Sequence, residues 1–256
     1  MSAMHHLQTP QGRKLAYHRH TGQAPGVVFL GGFRSDMTGS KALHLADWAA
    51  RGGRAFLRFD YSGHGASSGD FLDGSIGDWA EDARAAIEAL TVGPQILVGS
   101  SMGGWIALLL ARAIPARLHA LIGVAAAPDF TEDGMWDSFS PAQRAALVQT
   151  GAIDLPSEYS AEPYRITRRL IEEGRKHLVL RAPLDLPFPL RLLQGTADAD
   201  VPVSVAMRLL AHASGPDIRL SLVKGADHRF STPACLAMIT AALDELCEGG
   251  FNAAVR

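Results

Sequence analysis

Short apolar runs recur along the chain, each followed by a glycine-rich break and a stretch with helical spacing. Residues 14–20 (Lys-Leu-Ala-Tyr-His-Arg-His) alternate in polarity, which predicts an antiparallel strand at a sheet edge. Residues 26–30 and 55–59 are nearly unbroken apolar runs of the kind found in buried parallel strands. Residues 96–98, 118–127, 189–193 and 218–223 continue the series. Helices are expected between them. One covers residues 41–51 and stops at Gly52-Gly53. A second is headed by Ser75 with Asp78 three positions on, a capping pair, and carries Trp79, Ala83, Ile87 and Leu90 on one face. Others cover residues 105–114, stopped by Pro115, and 203–213. The last follows Ser231-Thr-Pro233, with Cys235, Met238, Ile239, Ala242 and Leu246 as its apolar stripe. Strand–helix alternation of this kind predicts an α/β fold: a mostly parallel sheet with helices on both faces, in one domain spanning residues 1–256.

The alternation fails once. About residues 131–187 mix Phe, Trp, Tyr and Pro with polar positions, show no strand pattern, and are far too long for a plain connection of roughly 2–6 residues. They are expected to form a small helical lid inserted before the penultimate strand. Its aromatic residues Phe130, Trp136, Phe139, Tyr159 and Tyr164 are candidates to line an apolar pocket or to seat the lid on the body. Arg34, Trp136 and Phe139 are the candidate substrate-binding side chains.

At 256 residues with 47% apolar positions the chain can bury one large core. A net charge of −2 with scattered basic residues argues against a nucleic-acid partner, and no apolar run approaches the roughly 18 residues of a membrane span. The start, Met1-Ser-Ala-Met-His-His-Leu, lacks the basic and apolar segments of a secretory signal, from which a cytoplasmic location is expected. Cys235 and Cys247 fall in one predicted helix, about 18 Å apart at ~1.5 Å per residue, and cannot pair with each other. His18 and His20 share a strand face but have no third ligand at a recognisable spacing, so no metal is expected. Nucleotide and flavin motifs are absent and no cofactor is implied.

The chemistry centres on Gly99-Ser-Ser-Met-Gly103, set between a strand and a helix as a nucleophile elbow requires. Side chains at Gly99 and Gly103 would collide with so tight a turn, and glycine accepts its backbone angles cheaply. Ser101 is thereby the candidate nucleophile, aimed at the positive end of the next helix. Gly31-Gly-Phe33 follows another strand and presents backbone N–H groups, which nominates Phe33 and Met102 as oxyanion donors. Asp198 and His228 each follow a strand directly, so they project at the same sheet edge as Ser101. Asp200, two residues on, is a rival acid, while Asp227 beside the base is expected to shape its loop. His64 lies beyond a strand end and is read as a turn residue.

In these motifs the chain resembles the serine-nucleophile branch of the α/β-hydrolases. Gly31-Gly-Phe, Asp60-Tyr-Ser-Gly-His-Gly-Ala-Ser67, the elbow, Gly195-Thr-Ala-Asp198 and Gly225-Ala-Asp-His228 all fall in family order. Arg58-Phe-Asp-Tyr-Ser-Gly63, Gly-Ser-Ser-Met-Gly-Gly-Trp105 and Asp227-His-Arg229 are further similar to abhydrolase-type depalmitoylating thioesterases that also cleave acyl-glucuronide esters. The resemblance implies an esterase or thioesterase with a small-molecule or acyl-chain substrate, and its departure is Gly31 where the family often has His. Carbon–carbon or amide cleavage by the same residues, and a lid-gated binding protein of this fold, are the alternatives. Dehalogenase and epoxide hydrolase chemistry would need Asp at the elbow. Acyl-chain length, leaving group and oligomeric state are not fixed by the sequence.

Overall fold

A computed structural model describes residues 3–156 and 163–248. Strands β1 (His5–Gln8), β2 (Lys14–His20) and β3 (Gln23–Leu30) lead to helix α1 (Ser40–Arg51). β4 (Arg54–Phe59), α2 (Ile76–Leu90), β5 (Gln95–Ser100), α3 (Met102–Ala113) and β6 (Leu118–Val124) follow. The main sheet has the order β1-β2-β4-β3-β5-β6, completed by β10 (Leu190–Gly195) and β12 (Ile218–Val223). From β4 through β12 every pairing in it is parallel, while β1 and β2 are antiparallel. The strand at residues 14–20 is therefore second from the edge. His5–Gln8, too short to declare itself by alternation, takes the edge.

The two faces explain why the central strands are apolar throughout. Val28, Leu57 and Leu97 point to one side and pack with Trp79, Ile87, Trp105 and Ile106 of α2 and α3. Val27, Phe29, Ile96, Val98 and Ile122 point to the other. They meet Ala42 and Leu45 of α1, and Ile239 and Leu243 of the closing helix α7 (Pro233–Glu248). Period-2 alternation thus buries both sets, one against each helical layer. Ser75 caps α2 through the Asp78 N–H, as the sequence pattern predicts.

The inserted region, expected as a small helical lid, combines helices with a short strand pair. It opens with a π-helix, Phe130–Trp136, and continues through α4 (Pro141–Thr150), where Ser140 and Gln143 form a capping box. A two-stranded antiparallel ribbon follows, β7 (Ala152–Leu155) with β8 (Tyr164–Thr167), then α5 (Arg168–Gly174). Its return is narrower than 131–187 suggests. β9 (Leu184–Asp185) already pairs with β11 (Ala213–Ser214), which follows α6 (Val203–His212) on the body. Asp129, left-handed at φ 58° and buried, closes the base of the insertion. It accepts from the N–H groups of Val179 and Leu180 at 2.7 and 3.0 Å.

Candidate active site

The turn from β5 into α3 places Ser101 at φ 54° and ψ −119°, a conformation that L residues hold only when their surroundings impose it. Those surroundings are hydrogen bonds and close backbones. Ser101 N–H donates to the Val124 carbonyl at 2.9 Å, and its own carbonyl accepts from Gly104 and Ala127. A Cβ on Gly99 would lie 2.3 Å from the Gly103 carbonyl oxygen, and one on Gly103 would lie 2.1 Å from that of Leu30. The glycines are needed for space, whereas the unusual dihedral belongs to the serine itself. Neither glycine has a positive φ, which corrects the expectation that they supply the backbone angles.

His228 Nε2 lies 3.1 Å from Ser101 Oγ, and its Nδ1 lies 2.9 Å from Asp198 Oδ2. The Asp198 side chain is fully buried and further accepts from Gln194 Nε2 at 2.9 Å and from the Val201 N–H at 2.8 Å. Burial alone would raise this carboxyl. The hydrogen bond from His228, that from Val201 and the nearby imidazole outweigh it, so the group sits below the ordinary aspartate value. Asp200, the rival acid, is exposed and lends its N–H to Asp198 Oδ1 at 3.0 Å. Asp227 accepts from the Phe230 N–H and so turns the loop that carries His228. Asp198, Asp200 and His228 are the cluster among the described residues that could hold a metal ion, and two of them are already committed to each other.

The N–H groups of Phe33 and Met102 have no hydrogen-bond partner among the described residues. Met102 opens α3 directly after Ser101. Phe33 belongs to the loop after β3, held in place by two residues that sequence reading left without a role. Asp60 accepts the Met37 N–H at 2.7 Å, and Arg58 donates to the Met37 carbonyl. Asp60 also accepts from Ala66, which ties this loop to the turn after β4. His64 in that turn is only 3% exposed, ringed by Tyr61, Phe71 and Trp79, and does not line the cleft.

Ser101 and His228 open onto a cavity of about 810 Å³, within the range of small-molecule sites. The body contributes Phe33 and Arg34, and the insertion contributes Phe130, Met135, Leu155 and Tyr164. Arg34 spans the two, its guanidinium 5.1 Å from the ring centres of both Phe71 and Tyr164. Trp136 and Phe139 do not line it, contrary to expectation. Trp136 has the guanidinium groups of Arg144 and Arg175 over its ring, 5.0 and 4.5 Å from the centre, and Phe139 is buried in the core. Tyr159 lies outside the described residues.

A helix-covered, mostly parallel sheet carrying Ser, Asp and His at its strand ends in that chain order defines an α/β-hydrolase. The chain belongs to the family whose model is described as serine aminopeptidase, S33, which matches residues 25–156, and it is a hydrolase. It is 36% identical to the mitochondrial palmitoyl-protein thioesterase ABHD10 of Rattus norvegicus, over 94% of this chain and 82% of that protein. Among solved structures it superposes on mouse α/β hydrolase domain-containing protein 10 with a TM-score of 0.90. The identity there is 34%, covering 96% of this chain and 99% of that one. A protein of Agrobacterium vitis S4 gives a TM-score of 0.92 at 40% identity, covering 96% and 98%.

The cytoplasmic location expected from the sequence is overturned here, because the matched ABHD10 relatives are named as mitochondrial. Mitochondrial transit segments are amphipathic, so the apolar pattern of a secretory signal does not report on that location. Among the described residues no helix is long and apolar enough to cross a membrane.

Proposed function

We propose that this chain hydrolyses carboxylic esters or thioesters of acyl-chain substrates through an acyl-enzyme on Ser101. The hydrogen-bonded series Ser101–His228–Asp198, whose first two members line the cavity, carries the reading. Ser101 Oγ attacks the acyl carbon as His228 Nε2 takes its proton, and Asp198 holds the imidazole by Nδ1 and stabilises its charged form. The unpartnered N–H groups of Phe33 and Met102 receive the oxyanion, each worth about 10²–10³ in rate. His228 then protonates the departing alcohol or thiol. Water, deprotonated by the same nitrogen, attacks the acyl carbon; Ser101 leaves with the proton and the acid is released. The thioesterase names of the relatives and the apolar residues of the cavity favour an acyl chain on the acid side.

The test is hydrolysis of p-nitrophenyl esters from acetate to palmitate, with a long-chain acyl thioester alongside, by the intact protein and by Ser101→Ala. Turnover by the intact protein that falls by at least about 10⁴-fold in the variant is the expected result. Turnover surviving in Ser101→Ala removes the acyl-enzyme, and inactivity of the intact protein on every ester removes the substrate class.

A further inference from the structure

The loop that carries His228 is held at three places. On its N-terminal side the Ala226 carbonyl accepts from Ala197 at 3.0 Å, in the turn that presents Asp198. On its C-terminal side Phe230 adopts a left-handed φ of 47°, with its side chain fully buried in the core beneath α1 and α7. Between them, Lys41 Nζ donates to the Arg229 carbonyl, in the peptide that joins Arg229 to Phe230, one residue beyond His228. Lys41 comes from the first turn of α1, 188 residues away in sequence, and lines the same cavity wall as His228 and Arg229. Burial is the largest influence on Lys41 and lowers its pKa below the ordinary lysine value, with the nearby Asp227 carboxylate opposing it only in part.

We infer that Lys41 is a positioning residue for catalysis: its ammonium group, bonded to the Arg229 carbonyl, ties the Arg229–Phe230 peptide to α1 and thereby holds the loop that aims His228 Nε2 at Ser101. The physical need is specific. The bond from the Phe230 N–H of that peptide to Asp227 lies within the loop and moves with it, so the carbonyl side calls for a hold from another element. An imidazole displaced by about 1 Å from its nucleophile loses on the order of 10²-fold in rate. The Lys41 ammonium, reaching across from α1, supplies that hold. The role presupposes the acyl-enzyme reading above.

A double-mutant cycle on p-nitrophenyl butyrate hydrolysis tests it. Lys41→Met should lower kcat about 10- to 100-fold and leave KM within about threefold, with an unchanged melting temperature and fold. Lys41→Arg, which keeps a donor of similar reach, should recover to within about fivefold of the parent. In a His228→Ala background, adding Lys41→Met should change the residual rate by less than about twofold, because the residue it positions is gone. Equal losses in both backgrounds, or a rise in KM with kcat intact, would overturn the inference. If Lys41→Met does not accumulate as folded protein, Lys41→Gln, whose amide stops short of the carbonyl, carries the same expectation. Full activity of His228→Ala would instead remove the base itself, a failure of the acyl-enzyme reading visible in that arm alone.

Discussion

Asp198 takes hydrogen bonds from His228, Gln194, Val201 and Asp200, and this set separates the two carboxylates at the strand end. A carboxylate held this way stays ionised and keeps the Nδ1 proton of His228 in place. An amide there would present the wrong tautomer to Ser101. Asp198→Asn should therefore lower kcat on the order of 10⁴-fold with little change in KM. Asp200→Asn keeps the backbone N–H that Asp198 uses, and should lose less than about tenfold. Steady-state kinetics of the two variants on one ester decide the matter, and a reversed order would move the acid to Asp200. The same hydrogen bonds tie Asp198 to stability. Its depressed pKa gives stability that is present above the ordinary carboxylate range and is lost as pH falls through the folded value. The side chains proposed as catalytic are legible in the sequence because each is announced locally, by a strand end, glycines and chain order. Gln194, Arg58 and Lys41 are not, because each acts through a partner that only the fold brings close.

Elements differ in legibility for a related reason. Helices α2 and α3 and the central strands repeat one pattern over enough residues to be read. The ribbon of β7 and β8 has four residues per strand, too few for alternation to stand out from the surrounding loop. Trp136 misleads because an aromatic beside polar residues reads the same whether it faces a ligand or two arginines. The turn after β4 hides a different property. His64 is buried among aromatic rings, its Nδ1 is 3.2 Å from the Ser62 carbonyl, and its Nε2 has no hydrogen-bond partner among the described residues. Burial lowers its pKa most strongly, the Ser62 bond opposes this and Arg34 adds to it, for a result of about 4. The unfolded chain binds a proton near pH 6.5 and the folded one does not until about pH 4. Between those values the unfolded state carries more protons, so stability rises with pH and is lost on acidification. Urea unfolding should show roughly 2 kcal/mol more acid loss for the parent between pH 7 and pH 5 than for His64→Phe. The Ser62 carbonyl keeps its bond from Trp79 Nε1 in that variant. Parallel pH curves would show that His64 titrates normally.

At the scale of the molecule, catalysis and selection come from different parts of the chain. The proposed nucleophile, base, acid and oxyanion donors all belong to the body. Phe130, Met135, Leu155 and Tyr164, which face them across the cavity, belong to the insertion. Arg34 joins the two through its contacts with Phe71 and Tyr164, in the residue directly after an oxyanion donor. A bulky side chain in the insertion's wall should then shorten the acyl group accepted without disturbing the chemical step. Leu155→Trp is expected to leave kcat for p-nitrophenyl acetate within about twofold. It should lower kcat/KM for the longest accepted ester at least about tenfold, since each methylene denied burial forfeits about 0.8 kcal/mol. Arg34→Ala should act differently: it loosens the contact between body and insertion, so selectivity between long and short esters flattens instead of shifting to shorter chains. Chain-length profiles of the two variants against the parent check both expectations. A uniform loss across all chain lengths in Leu155→Trp would place the acyl chain elsewhere, along the wall formed by the body.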